Sequence, residues 1–367
     1  MKYVMLFFAG FLLSFNAIAQ SDYFTVTGRV IDSDTKKPLQ SASVFAQNTT
    51  TGTVTDAQGN FSLPLSNGGY DLIITYTGYN PEIKRISYSD TSYKNIFVEL
   101  KEKNKMMEAV VVSGTNEVKD GWQKYGQFFT DNFIGKTLFS SNCHISNPDD
   151  LKFYYSKRKN RLKVLASTPI QITNDALGYK IKYTLDSFIY DYNTEACVFA
   201  GYPLFEEIPS TDSNQIKNWH INRMQAYHGS ILHFMRSIYN KTLSENDFEI
   251  QFEVNDFGQD TAIHLGDYYG ALNYSKDDST QTVDIKPNQP NVVVIYGGEM
   301  PEQQYLSLDS DKNPKKYQFS VMSVAKGESI TIEQNGYFYD QNDITITSGY
   351  WTWQKVGDML PYDFVPD

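Results

Sequence analysis

Histidine is the side chain that most often binds a catalytic metal ion in hydrolases, so the five histidines of this chain come first. They stand at positions 144, 220, 228, 233 and 264, and none begins a His-Glu-x-x-His or His-x-x-Glu pattern. His228 and His233 would be separated by about 140° on a helix, so one helix face cannot present both to one ion. The sequence therefore predicts no metal site and no cofactor.

Carboxylate pairs are the second place to look for catalysis, because glycoside hydrolysis uses two carboxyl groups that flank the scissile bond. The adjacent pairs Asp149-Asp150, Glu206-Glu207 and Asp277-Asp278 would point to opposite faces of a strand. The chain has no Gly-x-Ser-x-Gly elbow, phosphate-binding loop or dinucleotide fingerprint. These patterns favour a non-enzymatic protein. The alternative is a hydrolase acting on polysaccharide or peptide through Asp/Glu pairs that folding brings together.

Trp351 and Trp353 are the candidates for ligand stacking, because residues two apart on a strand share a face. Two flat indole rings on one face could form a platform for a sugar ring. Large aromatic side chains are also ordinary core residues. Core packing is the favoured interpretation of the pair, and a sugar-stacking platform is the alternative.

The segment Gln215–Asn240 is predicted to form one long helix, with a capping-box-like start at Asp212. Arg223 falls within the apolar arc of this helix, and a buried arginine needs an acidic partner. Glu206, Glu207 or a neighbouring strand could supply that partner. A buried ion pair is favoured for Arg223, and an anion-binding site is the alternative. The apolar residues that recur at helical spacing are Ile216, Trp219, Tyr227, Ile231, Phe234 and Ile238.

Cys143 and Cys197 are the two cysteines of the chain. In an oxidising compartment they could form one disulfide, which would close a long loop at the start of a second domain. Two buried free thiols are the other outcome, because cysteine is among the most buried residue types. The sequence leaves both outcomes open.

The composition indicates a folded protein made mainly of β-strands. Tyrosine and phenylalanine are abundant, with 27 and 23 residues, and aromatic rings pack well on pleated surfaces. A chain of 367 residues is long enough for two domains with separate cores. The net charge of -11 repels phosphate backbones and no basic run is expected to compensate for it, so nucleic acid is not an expected partner.

Residues 1–19 are predicted to form a secretion signal. Lys2 supplies the positive charge, an apolar run extends from Val4 to Phe15, and alanines at positions 17 and 19 precede the cut site. The mature protein is expected to begin near Gln20, and without a cysteine there it would carry no lipid anchor. No later stretch approaches the roughly 20 apolar residues of a membrane helix. We therefore expect an exported protein of the periplasm or the outer-membrane surface, with no transmembrane segment in the mature chain.

Residues 21–100 are predicted to form a first domain. Short alternating segments are separated by Asp, Gly, Asn or Pro, and seven strands in about 80 residues are typical of a β-sandwich. Asp56 to Phe61 is predicted as a hairpin connection in which Gly59 takes a positive φ. The predicted strands are Phe24–Asp32, Ala42–Gln47, Gly52–Asp56, Asn60–Pro64, Tyr70–Tyr76, Glu82–Ser87 and Lys94–Leu100.

Motifs in these strands resemble the carboxypeptidase-regulatory-like domain. The matching residues are Gly28-Arg-Val30-x-Asp32, Pro38-Leu39, Ala42-x-Val44, Gly52-Thr-x-Thr55-Asp56, Gly59-x-Phe61-x-Leu63 and Tyr76-x-Gly78-Tyr79. The resemblance implies a prealbumin-like sandwich at the front of a Gram-negative envelope protein, as in TonB-dependent receptors. The domain is an appendage to the zinc enzyme in carboxypeptidases, so the resemblance implies no peptidase activity.

Residues 101–119 are predicted as a linker with a short strand at Val110–Ser113, similar to the segment that joins this domain to the plug of TonB-dependent receptors. Residues 120–367 are predicted as a β-rich α+β domain that opens with a helix at Gly121–Ile134 and includes a long alternating strand at Gly178–Tyr190. This part is similar to envelope proteins that carry the same front domain, and that similarity implies no activity.

Together these patterns predict an exported, non-enzymatic binding or scaffolding protein of the cell envelope. Its partner would be an outer-membrane protein or a glycan. The first alternative is an accessory component of a TonB-dependent outer-membrane uptake system, docked through the front domain or through the Val110–Ser113 strand. The second alternative is the hydrolase described above.

Overall fold

A computed structural model describes residues 23–90, 93–103, 116–256, 259–308, 316–325, 327–339 and 341–367. Within these ranges, no helix is long and apolar enough to cross a membrane. The predicted secretion signal and the predicted Val110–Ser113 strand lie outside them. The fold is mainly β, as predicted from the composition.

The first seven strands form the predicted β-sandwich. One sheet has the order β4-β1-β7 and the other has the order β3-β2-β5-β6. Strand β1 is antiparallel to β4 and parallel to β7. The strands are β1 Tyr23–Asp32, β2 Ser43–Ala46, β3 Gly52–Val54, β4 Asn60–Ser66, β5 Gly69–Thr75, β6 Glu82–Ser87 and β7 Ile96–Leu100. All seven predicted strands are therefore confirmed.

Alternation places one face of each strand in the core of the sandwich. In β4, Phe61 and the residues two and four further along are buried while their neighbours are exposed. Gly59 has the predicted positive φ of 78°, and a Cβ there would lie 2.4 Å from the carbonyl oxygen of Val30. The predicted hairpin is wrong, because β3 pairs with β2 and β4 pairs with β1. The turn from Asp56 therefore crosses from one sheet to the other.

The middle of the chain forms a second sheet system covered by a helix. The long strand β12 pairs along one side with β13, and on the other side with β11 and then with β10. The predicted first helix is confirmed, and Phe129 and Phe133 point from it into the core. The elements are α1 Gly121–Phe133, β8 Cys143–Ile145, β9 Leu151–Ser156, β10 Arg161–Ala166, β11 Ile170–Asn174, β12 Tyr179–Asp191 and β13 Ala196–Glu207.

The predicted long helix is two helices, α2 Ser213–Tyr227 and α3 Ile231–Asn240. Gly229 has a φ of 72°, which ends α2, and Ser230 then accepts a hydrogen bond from the His233 N–H at 3.1 Å as the N-cap of α3. In the sequence, the Gly229-Ser230 dipeptide was the signal that one helix ends and another begins here. The predicted cap at Asp212 is confirmed, since its carboxylate accepts hydrogen bonds from two backbone N–H groups of the first turn.

The rest of the chain forms a third β-rich unit with a five-stranded sheet, β15-β14-β18-β19-β21, and a three-stranded sheet, β16-β17-β20. Its elements are β14 Phe248–Asp256, β15 Gln259–His264, α4 Tyr268–Ala271, β16 Ser275–Asp277, β17 Thr282–Ile285, β18 Asn291–Tyr296, α5 Gln303–Leu308, β19 Gln318–Val324, β20 Ile330–Ile332, β21 Ile344–Gly349 and α6 Tyr350–Trp353.

Buried apolar residues form three clusters rather than two. The N-terminal core lies inside the sandwich, the middle core lies between α1 and the β8–β13 sheet, and the C-terminal core joins α3 to the last two sheets. The region predicted as one domain, 120–367, therefore contains two cores. Helices α2 and α3 connect them, since Tyr227 of α2 belongs to the middle core and Phe234 of α3 belongs to the C-terminal core.

Residues 354–367, here called the C-terminal strap, contact the other units in turn. Val356 and Leu360 are buried in the middle core, whereas Tyr362 packs against the N-terminal core. The Tyr362 N–H donates to the Asn48 carbonyl oxygen at 2.6 Å, and the Gly357 N–H donates to the Ile134 carbonyl oxygen at 2.9 Å. The strap therefore joins the sandwich to the body of the protein.

Arg236 of α3 holds the strap in place through three carbonyl groups. Its Nη1 and Nη2 donate to the carbonyl oxygens of Phe364 and Tyr362 at 3.0 and 2.9 Å. Its Nε donates to the carbonyl oxygen of Asn335 at 3.0 Å. Because the guanidinium carries five donors in a fixed plane, one side chain can fix two separate chain segments.

Replacing Arg236 with methionine should destabilise the protein by about 3 kcal/mol, because three half-buried carbonyl groups lose charged donors while the side-chain volume is kept. The matched control is R29M, since exposed Arg29 donates to one carbonyl group, that of Gln58, and should cost about 1 kcal/mol or less. Urea unfolding followed by tryptophan fluorescence measures both. Equal effects of the two substitutions would contradict the role given to Arg236.

Candidate functional site

A cavity of about 300 Å³ lies where the three cores meet, and we call it the junction cavity. The strap, the α2–α3 connection and one loop of the sandwich form its walls. Its lining residues are Asn48, Phe199, Ala226, Ser230, Ile231, Leu232, Gly336, Phe338, Trp351, Gln354, Lys355, Val356, Asp358, Met359, Leu360 and Tyr362. A mostly apolar wall with a few polar groups is typical of a small-molecule site.

Asn48 presents a buried acceptor at this cavity. Its Nδ2 donates to the Leu360 carbonyl oxygen at 3.3 Å, whereas no residue within the described ranges donates to its Oδ1. A buried acceptor without a donor costs about 1–3 kcal/mol. A ligand that donates one hydrogen bond here would remove that cost.

Asp358 is the one carboxylate among the described residues that line the cavity. Its Oδ2 accepts a hydrogen bond from the Lys355 N–H at 3.0 Å, and the Thr137 and Ser140 hydroxyls oppose the effect of burial on the pKa of the carboxyl group. Burial raises the pKa of Asp358 to about 7 and lowers the pKa of Lys355. Near neutral pH the cavity can therefore hold a protonated carboxyl group beside a lysine.

The two tryptophans do not form the alternative stacking platform. They lie on the single turn of α6 and not on a strand, so their side chains point about 200° apart. Trp351 is buried, with its Nε1 donating to the Gly229 carbonyl oxygen at 2.7 Å, and one edge reaches the cavity. The Nε1 of Trp353 donates to Glu302 at 3.3 Å. Core packing, the favoured interpretation, is confirmed for Trp351.

Arg223 forms an ion pair in which the arginine is largely buried, as predicted, but the carboxylate is exposed. Its Nη1 lies 2.7 Å from Oε1 of Glu207, one of the candidate partners named from the sequence. Its Nε and Nη2 donate to the carbonyl oxygens of Leu177 and Gly178 at 2.7 and 3.2 Å, and its guanidinium lies 3.9 Å from the centre of the Tyr179 ring. All three nitrogens are in use, which argues against the anion-site alternative.

Cys143 and Cys197 are free thiols, so the disulfide alternative is wrong in this structure. Strands β11 and β12 lie between them. Cys143 is aligned through Asn174 with Tyr179, the first residue of β12, whereas Cys197 pairs with Tyr190 near its last residue. That offset is far beyond the roughly 7 Å limit between bonded Cα atoms. Burial raises the pKa of Cys143 to about 12 and the pKa of Cys197 to about 11.

Two of the five histidines come close together, since the ring centroids of His228 and His233 are 5.8 Å apart. Among the described residues, no three His, Cys, Asp or Glu side chains are close enough to hold a metal ion. His228 lies 3.4 Å from Glu299, and His220 lies 2.6 Å from Asp367. His233 is buried in the C-terminal unit, and burial lowers its pKa to about 4.

The junction cavity was not predicted from the sequence. Its walls come from distant positions, with Asn48 and Leu360 separated by 312 residues, and neither alternation nor spacing can bring such positions together. The aromatic tail after Gly349 was the one local signal, because aromatic residues at the end of a chain must be buried against something.

The N-terminal sandwich is a CarboxypepD_reg-like domain, since residues 26–112 match the model of that family. The chain is also similar to the TonB-dependent receptor SusC of Bacteroides thetaiotaomicron, with 35% identity over 118 residues. A second relative is the TonB-dependent receptor P39 of Formosa agariphila, with 34% identity over 116 residues. Each match covers 32% of this chain and 11% or 10% of the receptor.

The chain therefore spans about a tenth of the length of these relatives. Among solved structures, a 9R-lipoxygenase from Cyanothece PCC8801 is 11% identical and has a TM-score of 0.17, with 62% of this chain and 49% of that chain covered.

The R223M substitution should destabilise the protein by about 2–4 kcal/mol, because it leaves two carbonyl groups without donors and removes the contact with Tyr179. E207Q should cost about 1 kcal/mol or less, because the Glu207 side chain is 61% exposed. Urea unfolding compares the two. If R223M is as stable as E207Q, Arg223 does not have the structural role assigned to it.

Asp358 should make stability depend on pH. Its folded-state pKa is raised from 3.8 to about 7, so between these values the unfolded chain releases a proton that the folded chain retains. The free energy of unfolding should therefore fall as pH rises from about 4 to about 7, by up to about 1.4 kcal/mol per pH unit. Below and above this window the contribution of Asp358 is constant.

In D358N this contribution should be absent, so the variant gains stability relative to the wild type as pH rises through the window. The control is D278N, because Asp278 is an exposed carboxylate far along the chain from the cavity. Urea unfolding at several pH values measures the difference. Parallel pH profiles for the wild type and D358N would contradict the raised pKa.

Proposed function

We propose that this chain is a non-enzymatic binding protein of the bacterial cell envelope, and that the junction cavity is its ligand site. The compartment is supported by the match of residues 26–112 to the CarboxypepD_reg-like domain and by the similarity to two TonB-dependent receptors. The binding role rests on one observation, the cavity at which all three cores meet.

The lining of the cavity favours a small and largely apolar ligand. At about 300 Å³ the cavity is at the lower end of the range for small-molecule sites. Asn48 offers an acceptor, and Asp358 and Lys355 are the charged residues of the lining. A ligand with an apolar body and one donor group would use both kinds of wall.

The hydrolase alternative has one observation on its side, the raised pKa of Asp358. Hydrolysis by two carboxyl groups requires a second one facing the same space, and Asp358 is the only carboxylate in the described part of the cavity wall. The nearby Glu302 bonds to the Leu138 N–H and to Trp353 instead. Binding without catalysis is therefore the better explanation of the site.

An accessory role in TonB-dependent uptake is the finer proposal within the same compartment. The matched domain supports it, because the two relatives that share it are TonB-dependent receptors. In this chain the sandwich is fixed to the body: the Asn48 N–H donates to the Pro203 carbonyl oxygen at 2.8 Å, and Asn335 donates to the Gly69 carbonyl oxygen at 3.0 Å. Such a role would therefore use the three units as one surface.

The ligand site is tested with the apolar probe 1-anilinonaphthalene-8-sulfonate and a cavity-filling variant. M359W places a larger ring in the cavity wall, and the matched control M300W alters an exposed methionine. We expect saturable fluorescence enhancement with the wild type and M300W, and affinity reduced on the order of tenfold in M359W.

Both variants are first compared with the wild type by thermal unfolding, so that a folding defect is not mistaken for lost binding. Equal probe affinity in M359W and M300W would show that the probe binds elsewhere, and the junction cavity would then lose its assigned role. The same titration with D358N reports whether the carboxyl group contacts the probe.

A further inference from the structure

Five basic residues lie within seven positions at the connection from β9 to β10: Lys157, Arg158, Lys159, Arg161 and Lys163. They line an open groove of about 900 Å³, here called the basic groove. The whole chain has 43 acidic and 32 basic residues, so the positive charge of this cluster is opposite in sign to the net charge of the chain. The expectation that no basic run compensates for the net charge overlooked this cluster, because a net charge does not show how the charges are distributed.

Most of this positive charge forms no ion pair, although one carboxylate, that of Glu117, lines the groove and interacts with the Tyr154 hydroxyl. Arg161 is paired, with its Nε 2.5 Å from Oδ2 of Asp191. No carboxylate in the described part of the chain forms an ion pair with Lys157, Arg158 or Lys159, and Lys163 is likewise unpaired there. Like charges at this density repel one another, and a bound anion would remove that repulsion.

The connection that carries these charges is fixed by hydrogen bonds. Asn160 has a positive φ of 50°, and its side chain accepts from the Tyr155 hydroxyl at 2.7 Å and donates to Asn193 at 3.0 Å. Asn193 in turn donates to the Lys159 carbonyl oxygen at 3.2 Å. The Tyr192 N–H donates to the Asn160 carbonyl oxygen at 3.0 Å. A preorganised loop loses less conformational entropy when a ligand binds.

Aromatic and apolar side chains lie beside the charges. Strand pairing aligns Tyr154, Lys163, Ile189 and Val198 in one row across four strands. Their side chains share the outer face of the sheet, and Ile189 and Val198 are 37% and 66% exposed. On the helix side of the groove stands Tyr125, whose ring is stacked near that of Tyr155 at 6.3 Å.

We propose that the basic groove binds an acidic polysaccharide. Lys157, Arg158, Lys159 and Lys163 bind its carboxylate or sulfate groups, and the sugar rings lie against Tyr154 and Ile189. Cations alone would suit any polyanion, but a lysine that lies between an aromatic ring and an apolar side chain matches a chain of rings that carry charged groups. The site is separate from the junction cavity and does not depend on it.

The test measures binding of three immobilised polysaccharides to the full chain without residues 1–19, at about 0.1 M salt. Polygalacturonate presents carboxylates and dextran sulfate presents sulfates. Neutral dextran is the control, because it has the sugar backbone of dextran sulfate without the charged groups. We expect binding to polygalacturonate, to dextran sulfate or to both, and none to dextran. The arm that binds identifies the charged group.

Two variants and one control with the same change of charge locate the site. K157A/R158A/K159A should lower affinity on the order of tenfold or more, whereas K37A/K101A/K103A removes the same charge from exposed positions of the sandwich and should have little effect. Y154V removes the ring and should lower affinity for the acidic polysaccharide severalfold. Thermal unfolding of each variant is compared with that of the wild type, so that a folding defect is not mistaken for lost binding.

Equal loss in the two triple variants would show that only net charge matters, and the proposal would fail. Binding of polyphosphate or double-stranded DNA as tight as that of the acidic polysaccharide would assign the groove to polyanions in general and overturn the glycan class. Binding that is unaffected by Y154V would remove the role of the ring. Absence of binding in all charged arms would overturn the site itself, without bearing on the probe titration of the junction cavity.

Discussion

The guanidinium of Arg236 joins parts of the chain that no sheet connects. It projects from α3 and holds carbonyl groups of the strap and of the Asn335 turn. Each of these carbonyls belongs to an irregular segment, whose backbone groups cannot be satisfied by a ladder of strand or helix hydrogen bonds. Arg236 therefore satisfies two carbonyl groups of the strap that no sheet or helix could satisfy.

The position of the strap also explains the junction cavity. Each core is close-packed within its own sheets and helices, whereas the junction cavity is lined by the strap, the α2–α3 connection and a loop of the sandwich, which lie between the cores. Leu360 and Val356 fill part of this space from the strap, and Trp351 closes one side from α6. The polar groups that remain, those of Asn48 and Asp358, come from segments that pass between the units. Their burial follows from this geometry and raises the pKa of Asp358.

Local sequence patterns were sufficient to predict those parts of the fold that depend on residues close together in the chain. Alternation gave all seven strands of the sandwich, and the requirement for positive φ gave Gly59 its conformation. The same reasoning failed at the Asp56 turn, because a turn's chemistry does not say which sheet the next strand joins. It failed at Gly229 because the apolar period continues from α2 into α3, although the Gly-Ser dipeptide marks a break.

For contacts between distant residues, the sequence could indicate the type of interaction but not which residues would meet. Arg223 was expected to have an acidic partner, since burying an unpaired charge is costly, and Glu207 is that partner. Predicting whether the tryptophans share a face requires knowing whether Trp351 lies on a strand or a helix. Predicting a disulfide requires the order of the strands between Cys143 and Cys197. The cavity required all three units at once, so no local pattern could indicate it.

The docking of the sandwich gives the proposed ligand site a further property. Asn48 and Thr50 lie on the loop by which the sandwich contacts the strap, and Thr50 N–H donates to Asp363 at 2.9 Å. Because the same loop supplies Asn48 to the cavity wall, a ligand bound there contacts both the sandwich and the body. By mass action such a ligand stabilises the docked arrangement over any arrangement in which the units separate. The proposed ligand would therefore act on the sandwich through the loop that carries Asn48.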